Sequence, residues 1–141
     1  MSARRFLDTN VLVYAYDKDA LGKQEVARTL LRKALVDDNA VVSSQVLSEF
    51  FIAVTRRIPV PLTIDAAQQA IAALQGLPVV AVDGVMVDRA IDTHRQYQIS
   101  YWDGLIIAAA ERAECMTLLS EDLSAGQAYH GLRVENPFAL C

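Results

Sequence analysis

The sequence predicts an α/β fold built on a mostly parallel sheet, and three observations point there. Short β-branched or leucine-rich stretches alternate with longer segments whose apolar residues recur every three or four positions. Proline, glycine and asparagine fall between these segments, where turns and stops belong. The length of 141 residues suits one domain, residues 1–141, large enough to bury a core without disulfide or metal staples.

Taken in order, Arg5-Phe6-Leu7 reads as a first strand and Asn10 to Tyr16 as a helix after a sharp turn at Asp8. Gly22 to Asp38 is a second helix, with Val26, Leu30, Leu31, Ala34 and Leu35 on one face. Asn39 closes it, and Ala40 to Ser43 is a buried strand. A helix from about Gln45 to Arg57 follows and is stopped by Pro59 and Pro61. Thr63 opens the next helix, whose Ile64, Ala67, Ile71 and Leu74 step by three, four and three; Gly76 and Pro78 end it. Pro78 to Val82 is a strand, and Asp83 caps a helix reaching Tyr97. Ser100 starts another helix, very apolar from Leu105 to Ala110. Cys115 to Leu119 and Leu132 to Val134 are the last strands. No repeat, low-complexity tract or linker divides the chain.

Composition removes several classes. With 53% hydrophobic and 21% charged residues, the chain is neither disordered nor fibrous. No apolar run approaches the ~20 residues of a membrane span. From Met1 to Leu7 no apolar signal core develops, so the expected location is the cytoplasm. Cys115 and Cys141 lack CxxC spacing and read as free thiols. His94 and His130 lie too far apart in sequence for an ordinary zinc pattern. Asp and Glu number 17 against 13 Lys and Arg, so no global basic field exists to grip nucleic acid. A small site where a metal supplies positive charge stays open.

The polar residues at the carboxyl ends of the strands are informative, because ligands gather there in open parallel sheets. Asp8 ends the first strand. Glu49 lies one to two turns beyond Ser43, Asp103 is in the first turn after Ser100, and Ser120-Glu121-Asp122 follows Leu119. Each has an ordinary explanation: Asp8 as an N-cap, Ser100 to Asp103 as a capping box, Glu49 as a solvated helix residue, Asp122 as a turn residue. Together they point further. Glu49 and Asp103 sit in apolar runs, where a carboxylate is partly buried and needs a partner. Four converging carboxylates resist ionising together, and a divalent cation resolves the conflict. Oxygen ligands without histidine select a hard ion, Mg²⁺ or Mn²⁺. The matching chemistry is phosphodiester hydrolysis.

These residues resemble a known family. Phe6-Leu7-Asp8-Thr9-Asn10-Val11-Leu12-Val13 is similar to the opening motif of the PIN-domain nucleases. Glu49 after Ser43 to Ser48, Tyr101-Trp102-Asp103-Gly104-Leu105-Ile106, and Leu118-Leu119-Ser120-Glu121-Asp122-Leu123 resemble their second, third and fourth acidic positions. The order and spacing match over nearly the whole chain. A chain of this size most resembles the VapC-type toxins of bacterial toxin–antitoxin pairs. The resemblance implies an α/β/α sandwich and a Mg²⁺- or Mn²⁺-dependent ribonuclease acting on RNA. It further implies a homodimer held inactive by a VapB-type antitoxin. By resemblance Asp8, Glu49, Asp103 and Asp122 are the acidic quartet. Asp8 and Asp103 are then direct metal ligands. Glu49 and Asp122 bind directly, bind through water or orient the attacking water. Asn10 and Ser120 support the carboxylates, and Glu121 competes with Asp122 for its role.

Two other classes fit part of the pattern. A haloacid-dehalogenase-type phosphatase also has an Asp after its first strand, but Asn10 stands where its second Asp belongs, and 141 residues leave little room for a cap. A non-catalytic RNA- or protein-binding module could use the metal as a structural clip. Among other residues, Arg56 and Arg57 are expected to flank the site. Tyr14, Tyr16, Tyr101 and Trp102 are expected in helical packing, His94 as an ordinary helix residue and Cys115 in the core.

Overall fold

The computed structural model describes residues 3–141; Met1 and Ser2, the start of the stretch read above for a signal, lie outside them. The elements are β1 (Arg5–Leu7), α1 (Thr9–Tyr14), α2 (Leu21–Asp37), β2 (Ala40–Ser43), α3 (Ser44–Arg56) and α4 (Ile64–Leu74), followed by β3 (Val79–Val80), α5 (Gly84–Tyr97), α6 (Tyr101–Arg112), β4 (Thr117–Leu119), β5 (Ala128–Tyr129) and β6 (Leu132–Glu135). The sheet order is β3-β2-β1-β4-β6-β5, parallel except where β5 pairs antiparallel with β6.

This order explains the layers. From β1 to β2 to β3 the chain moves outward in one direction, then returns to place β4 on the other side of β1. Right-handed crossovers put the outward-leg helices α1 to α4 on one face and the return-leg helices α5 and α6 on the other. The contacts agree: α1 packs on α2 and α3, α3 on α4, and α5 on α6. The result is an α/β/α sandwich whose strand order reverses between β1 and β4. The core between the layers holds Phe6, Leu7, Val42, Val46, Phe50, Ile106, Ile107 and Leu118, all essentially buried.

Helix starts follow the sequence closely, because side-chain caps are local chemistry. The backbone N–H of Thr9 donates to Asp8 Oδ1 at 2.7 Å, Val46 to Ser43 Oγ at 3.2 Å, Ala66 to Thr63 Oγ1 at 3.1 Å, Met86 to Asp83 Oδ1 at 3.0 Å and Asp103 to Ser100 Oγ at 3.0 Å. The N-cap reading of Asp8 therefore holds alongside any further role, and of the capping box expected over Ser100 to Asp103 the Ser100 side-chain cap is present.

Four local expectations need correction. Asp38, not Asn39, closes α2: its φ is 51° and its N–H returns to Ala34 O. The strand expected over Pro78 to Val82 contracts to Val79–Val80. It pairs only with β2, and the N–H of Val82 is taken by Ser44 Oγ instead of a ladder. The fourth strand starts at Thr117, since the N–H of Cys115 bonds back to Ala110 O at the end of α6. Strand β5 was not foreseen. It turns into β6 through His130 and Gly131, at φ 51° and 84°. Both left-handed values suit a tight hairpin, but a His-Gly pair lacks the usual Asn-Gly signal.

Candidate active site

The parallel register of β1 and β4 assembles the centre of the site. Leu7 lies opposite Leu119, and the N–H of Asp8 donates to Leu119 O at 3.0 Å. Asp8 and Ser120, 112 residues apart in the chain, therefore leave their strands side by side. The Ser120 hydroxyl donates to Asp8 Oδ2 at 2.7 Å and accepts from the N–H of Asp122 at 3.1 Å. Asn10 spans the same gap. Its Nδ2 lies 3.2 Å from Asp122 Oδ2, 3.3 Å from Ser120 Oγ and 3.4 Å from Asp8 Oδ2, while its Oδ1 accepts from the N–H of Glu121 at 3.0 Å. One amide thus ties the first acidic position to the last, in a place where strand order reverses.

Glu49 enters from α3. Its Oε1 accepts from the Thr9 hydroxyl at 2.9 Å and its Oε2 from Gln45 Nε2 at 3.3 Å. Gln45, one turn earlier on α3, also donates to the backbone carbonyl of Trp102 at 3.1 Å. That bond links α3 to the first turn of α6, which carries Asp103. Glycine at position 104 allows α6 to come close: a Cβ there would lie 2.7 Å from the carbonyl oxygen of Ala90 on α5. Thr9 and Gln45 were not picked out from the sequence, although Thr9 sits inside the Asp-Thr-Asn motif and Gln45 stands one helical turn before Glu49.

Asp8, Glu49, Asp103 and Asp122 all line one cleft of about 1030 Å³, joined by Asn10, Gln45, Arg57, Trp102 and Glu121. Ser120 is fully buried just beneath. Of the two arginines expected to flank the site, Arg57 lines the cleft and Arg56 does not. Glu121 is tied to residues of α1 and α2. Its Oε1 accepts from the Tyr14 hydroxyl at 2.7 Å and its Oε2 from Lys23 Nζ at 2.6 Å. Burial works against the Glu121 charge, yet the bonds from Lys23 and Tyr14 hold its carboxyl below the ordinary range. Glu121 is therefore already satisfied, whereas Asp122 faces the Asn10 amide.

Burial dominates the electrostatics of Asp8. At 5% exposure its carboxyl is pushed up to about 6, against the lowering effect of the Ser120 and Thr9 hydrogen bonds and with the charges of Asp103 and Asp122 adding to the rise. Asp103 is raised too, by burial first and then by Asp122 and Glu49, while its bond at Ser100 opposes. Among the described residues none of the four carboxylates forms a salt bridge. A buried Asp8, half-buried Glu49 and Asp103 and an exposed Asp122, all oxygen donors without a salt-bridge partner, are a donor set suited to a hard divalent ion. They do not form a finished cage, because among the described residues no three His, Cys, Asp or Glu side chains stand close enough to enclose an ion. That arrangement fits an ion held by one or two carboxylates and completed by water and phosphate oxygens.

Trp102 departs from the packing expected of it and is 61% exposed at the rim of the cleft. Tyr14 packs against the core, edge-on to Phe138 at 4.9 Å between ring centroids, while its hydroxyl holds Glu121. Tyr16 does pack, edge-on against Phe50 at 5.4 Å between ring centroids.

Residues 5–129 match the sequence model of the PIN domain. No curated protein sequence matches the chain at a significant level. Among solved structures, it superposes on the VapC20 toxin of Mycobacterium tuberculosis, described as cleaving the sarcin–ricin loop, with a TM-score of 0.67, 18% identity and coverage of 84% of this chain and 89% of that one. VapBC2 of Rickettsia felis, bound to a promoter DNA fragment, gives 0.69, 20%, 94% and 97%. A toxin–antitoxin complex from Klebsiella pneumoniae gives 0.67, 17%, 96% and 98%. At these identities the superpositions speak for the fold. No helix among the described residues is long and apolar enough to cross a membrane.

Proposed function

Because the chain belongs to the PIN-domain family, we propose that it is a Mg²⁺- or Mn²⁺-dependent endoribonuclease, the toxin of a type II toxin–antitoxin pair. The observation that carries this reading is the convergence of Asp8, Glu49, Asp103 and Asp122 on one cleft without a cationic partner among the described residues. Bound there, the ion would supply a Lewis acid that makes water a stronger nucleophile and steadies charge on the phosphate. The chain's own residues do the rest. Asp8 and Asp103 hold the ion. Glu49 and Asp122 share that task, directly or through water, or orient the attacking water. Ser120 and Asn10 keep the Asp8 and Asp122 carboxylates in register, and Thr9 and Gln45 do the same for Glu49. A VapB-type antitoxin and a homodimeric state belong to the same proposal. The antitoxin is supported by the fold shared with VapBC2 and with the Klebsiella complex.

The direct test is incubation of the purified chain with RNA in EDTA, then with Mg²⁺ or Mn²⁺. Cleavage should occur only with the ion; its absence in every ion would leave a binding module. A second readout needs no RNA. An ion at 100 times its dissociation constant should stabilise the native state by about 2.7 kcal/mol. The thermal midpoint of the wild type should therefore rise with Mg²⁺ or Mn²⁺, and that of Asp8→Asn should stay flat. For the two adjacent acids the expected outcomes differ. Asp122→Asn should lose most cleavage. Glu121→Gln should keep it within a few-fold and lose under about 1 kcal/mol of stability, since its partner Lys23 is part-exposed.

A further inference from the structure

We propose that Trp102 is the stacking platform for a nucleobase next to the scissile phosphate; this rests on the ribonuclease reading above. Tryptophan is highly buried on average. Trp102 is 61% exposed, yet it lies in the first turn of α6, adjacent in sequence to Asp103, and lines the same cleft as all four carboxylates. Consecutive residues on a helix diverge by about 100°. Asp103, half-buried, can thus serve the acidic centre while the indole stands at the rim.

The ring is also braced. Tyr101, packed against the core, meets it edge-on at 5.0 Å between centroids. The Trp102 carbonyl accepts from Gln45 Nε2, the amide that also holds Glu49. Gln45 is 9% exposed, and its Oε1 is buried with no hydrogen-bond partner among the described residues. An unsatisfied buried acceptor in the wall of a substrate cleft is a place for a ligand donor. Arg57 contributes a guanidinium to the same cleft. A stacking ring, a buried acceptor and a phosphate-binding cation around an acidic centre are the parts an unpaired nucleotide needs. The A-form duplex keeps its bases stacked inside and offers no free face to the indole.

Trp102 is the only tryptophan in the chain, so its fluorescence reports this contact alone. The cleavage-deficient Asp8→Asn protein, titrated in Mg²⁺ with a short unstructured oligoribonucleotide, should show quenching of the indole; the same sequence as a duplex should leave it unchanged. On an RNA that the wild type cleaves, Trp102→Ala should raise KM about tenfold with kcat nearly kept. That effect lies within the ~1–3 kcal/mol per stacked base at 1.4 kcal/mol per tenfold. Trp102→Phe should recover much of the loss. An unchanged KM in Trp102→Ala overturns the proposal while the ribonuclease reading stands. So does an indole emission that shifts to the blue with protein concentration alone, which would assign the ring to contact between copies of the chain. If the wild type cleaves no RNA in any ion, the ribonuclease reading falls first.

Discussion

Asp8→Asn is expected to lower RNA cleavage by about 10³-fold or more while raising the stability of the metal-free protein. The loss follows from the role proposed for the carboxylate: several kcal/mol of charge stabilisation, at 1.36 kcal/mol per tenfold, is a factor of this size. The gain follows from burial. In the folded chain the Asp8 carboxyl titrates at about 6, against an ordinary 3.8. Between those values the folded state holds a proton that the unfolded chain has released. Stability therefore falls as pH rises from about 4 to about 6 and stays lower above, by at most about 3 kcal/mol. Asparagine carries no charge to bury. It has one acceptor oxygen, however, and cannot serve both the Thr9 N–H and the Ser120 hydroxyl as the carboxylate does. Losing one such bond costs about 1 kcal/mol. The net expectation at pH 7 is a gain of about 1–2 kcal/mol, read as a thermal midpoint several degrees higher, which disappears or reverses below pH 4. Calorimetry at pH 4 and pH 7 checks the sign, and a cleavage assay checks the loss. A variant that unfolds would reduce Asp8 to a helix cap, and one that still cleaves normally would move the reaction elsewhere.

Gly104→Ala should be the most damaging conservative change in the helical layers. Its Cβ would lie 2.7 Å from the Ala90 carbonyl oxygen and 3.4 Å from the Ala90 carbonyl carbon, both backbone atoms that cannot rotate away. Helices α5 and α6 must then separate. Overpacking of this kind costs typically 1–3 kcal/mol and sometimes more. Alanine's better helix propensity returns about 1 kcal/mol. We expect a net loss of about 1–2 kcal/mol, seen as a fall of a few degrees in thermal midpoint. Cleavage should drop further than the folded fraction does, because Asp103 is the neighbouring residue and displacement of about 1 Å can cost 10²-fold. Gly22→Ala is the matched control. A Cβ at Gly22 meets nothing within 4 Å, so that change on α2 should be neutral or mildly stabilising. Equal losses at both positions would show that the α5–α6 approach is not the cause.

Sequence alone carried this protein a long way wherever the determining physics is local. Caps at Asp8, Thr63, Asp83 and Ser100 announced helix starts, since each needs only a short side chain and an N–H one to three residues on. The apolar periodicities of α2 and α4 and the apolar run of α6 announced which segments lie against a core, although Leu35 and Ile64, placed on those faces, are exposed. The order of four acidic positions was equally plain, because a parallel sheet delivers the residues after its strands to one edge.

Tertiary structure alone decided the rest. The bond from Ser120 to Asp8 crosses 112 residues and exists because Leu7 and Leu119 share a register. That Glu121 is held by Lys23 and Tyr14, from helices early in the chain, is visible only in the tertiary structure. The exposure of Trp102 reversed the expectation of helical packing, since only the packing of α6 shows which side of its first turn remains uncovered. Residue type and spacing set which groups can do the chemistry. Which of them meet depends on strand order and register, and those are fixed by contacts between residues the chain keeps far apart.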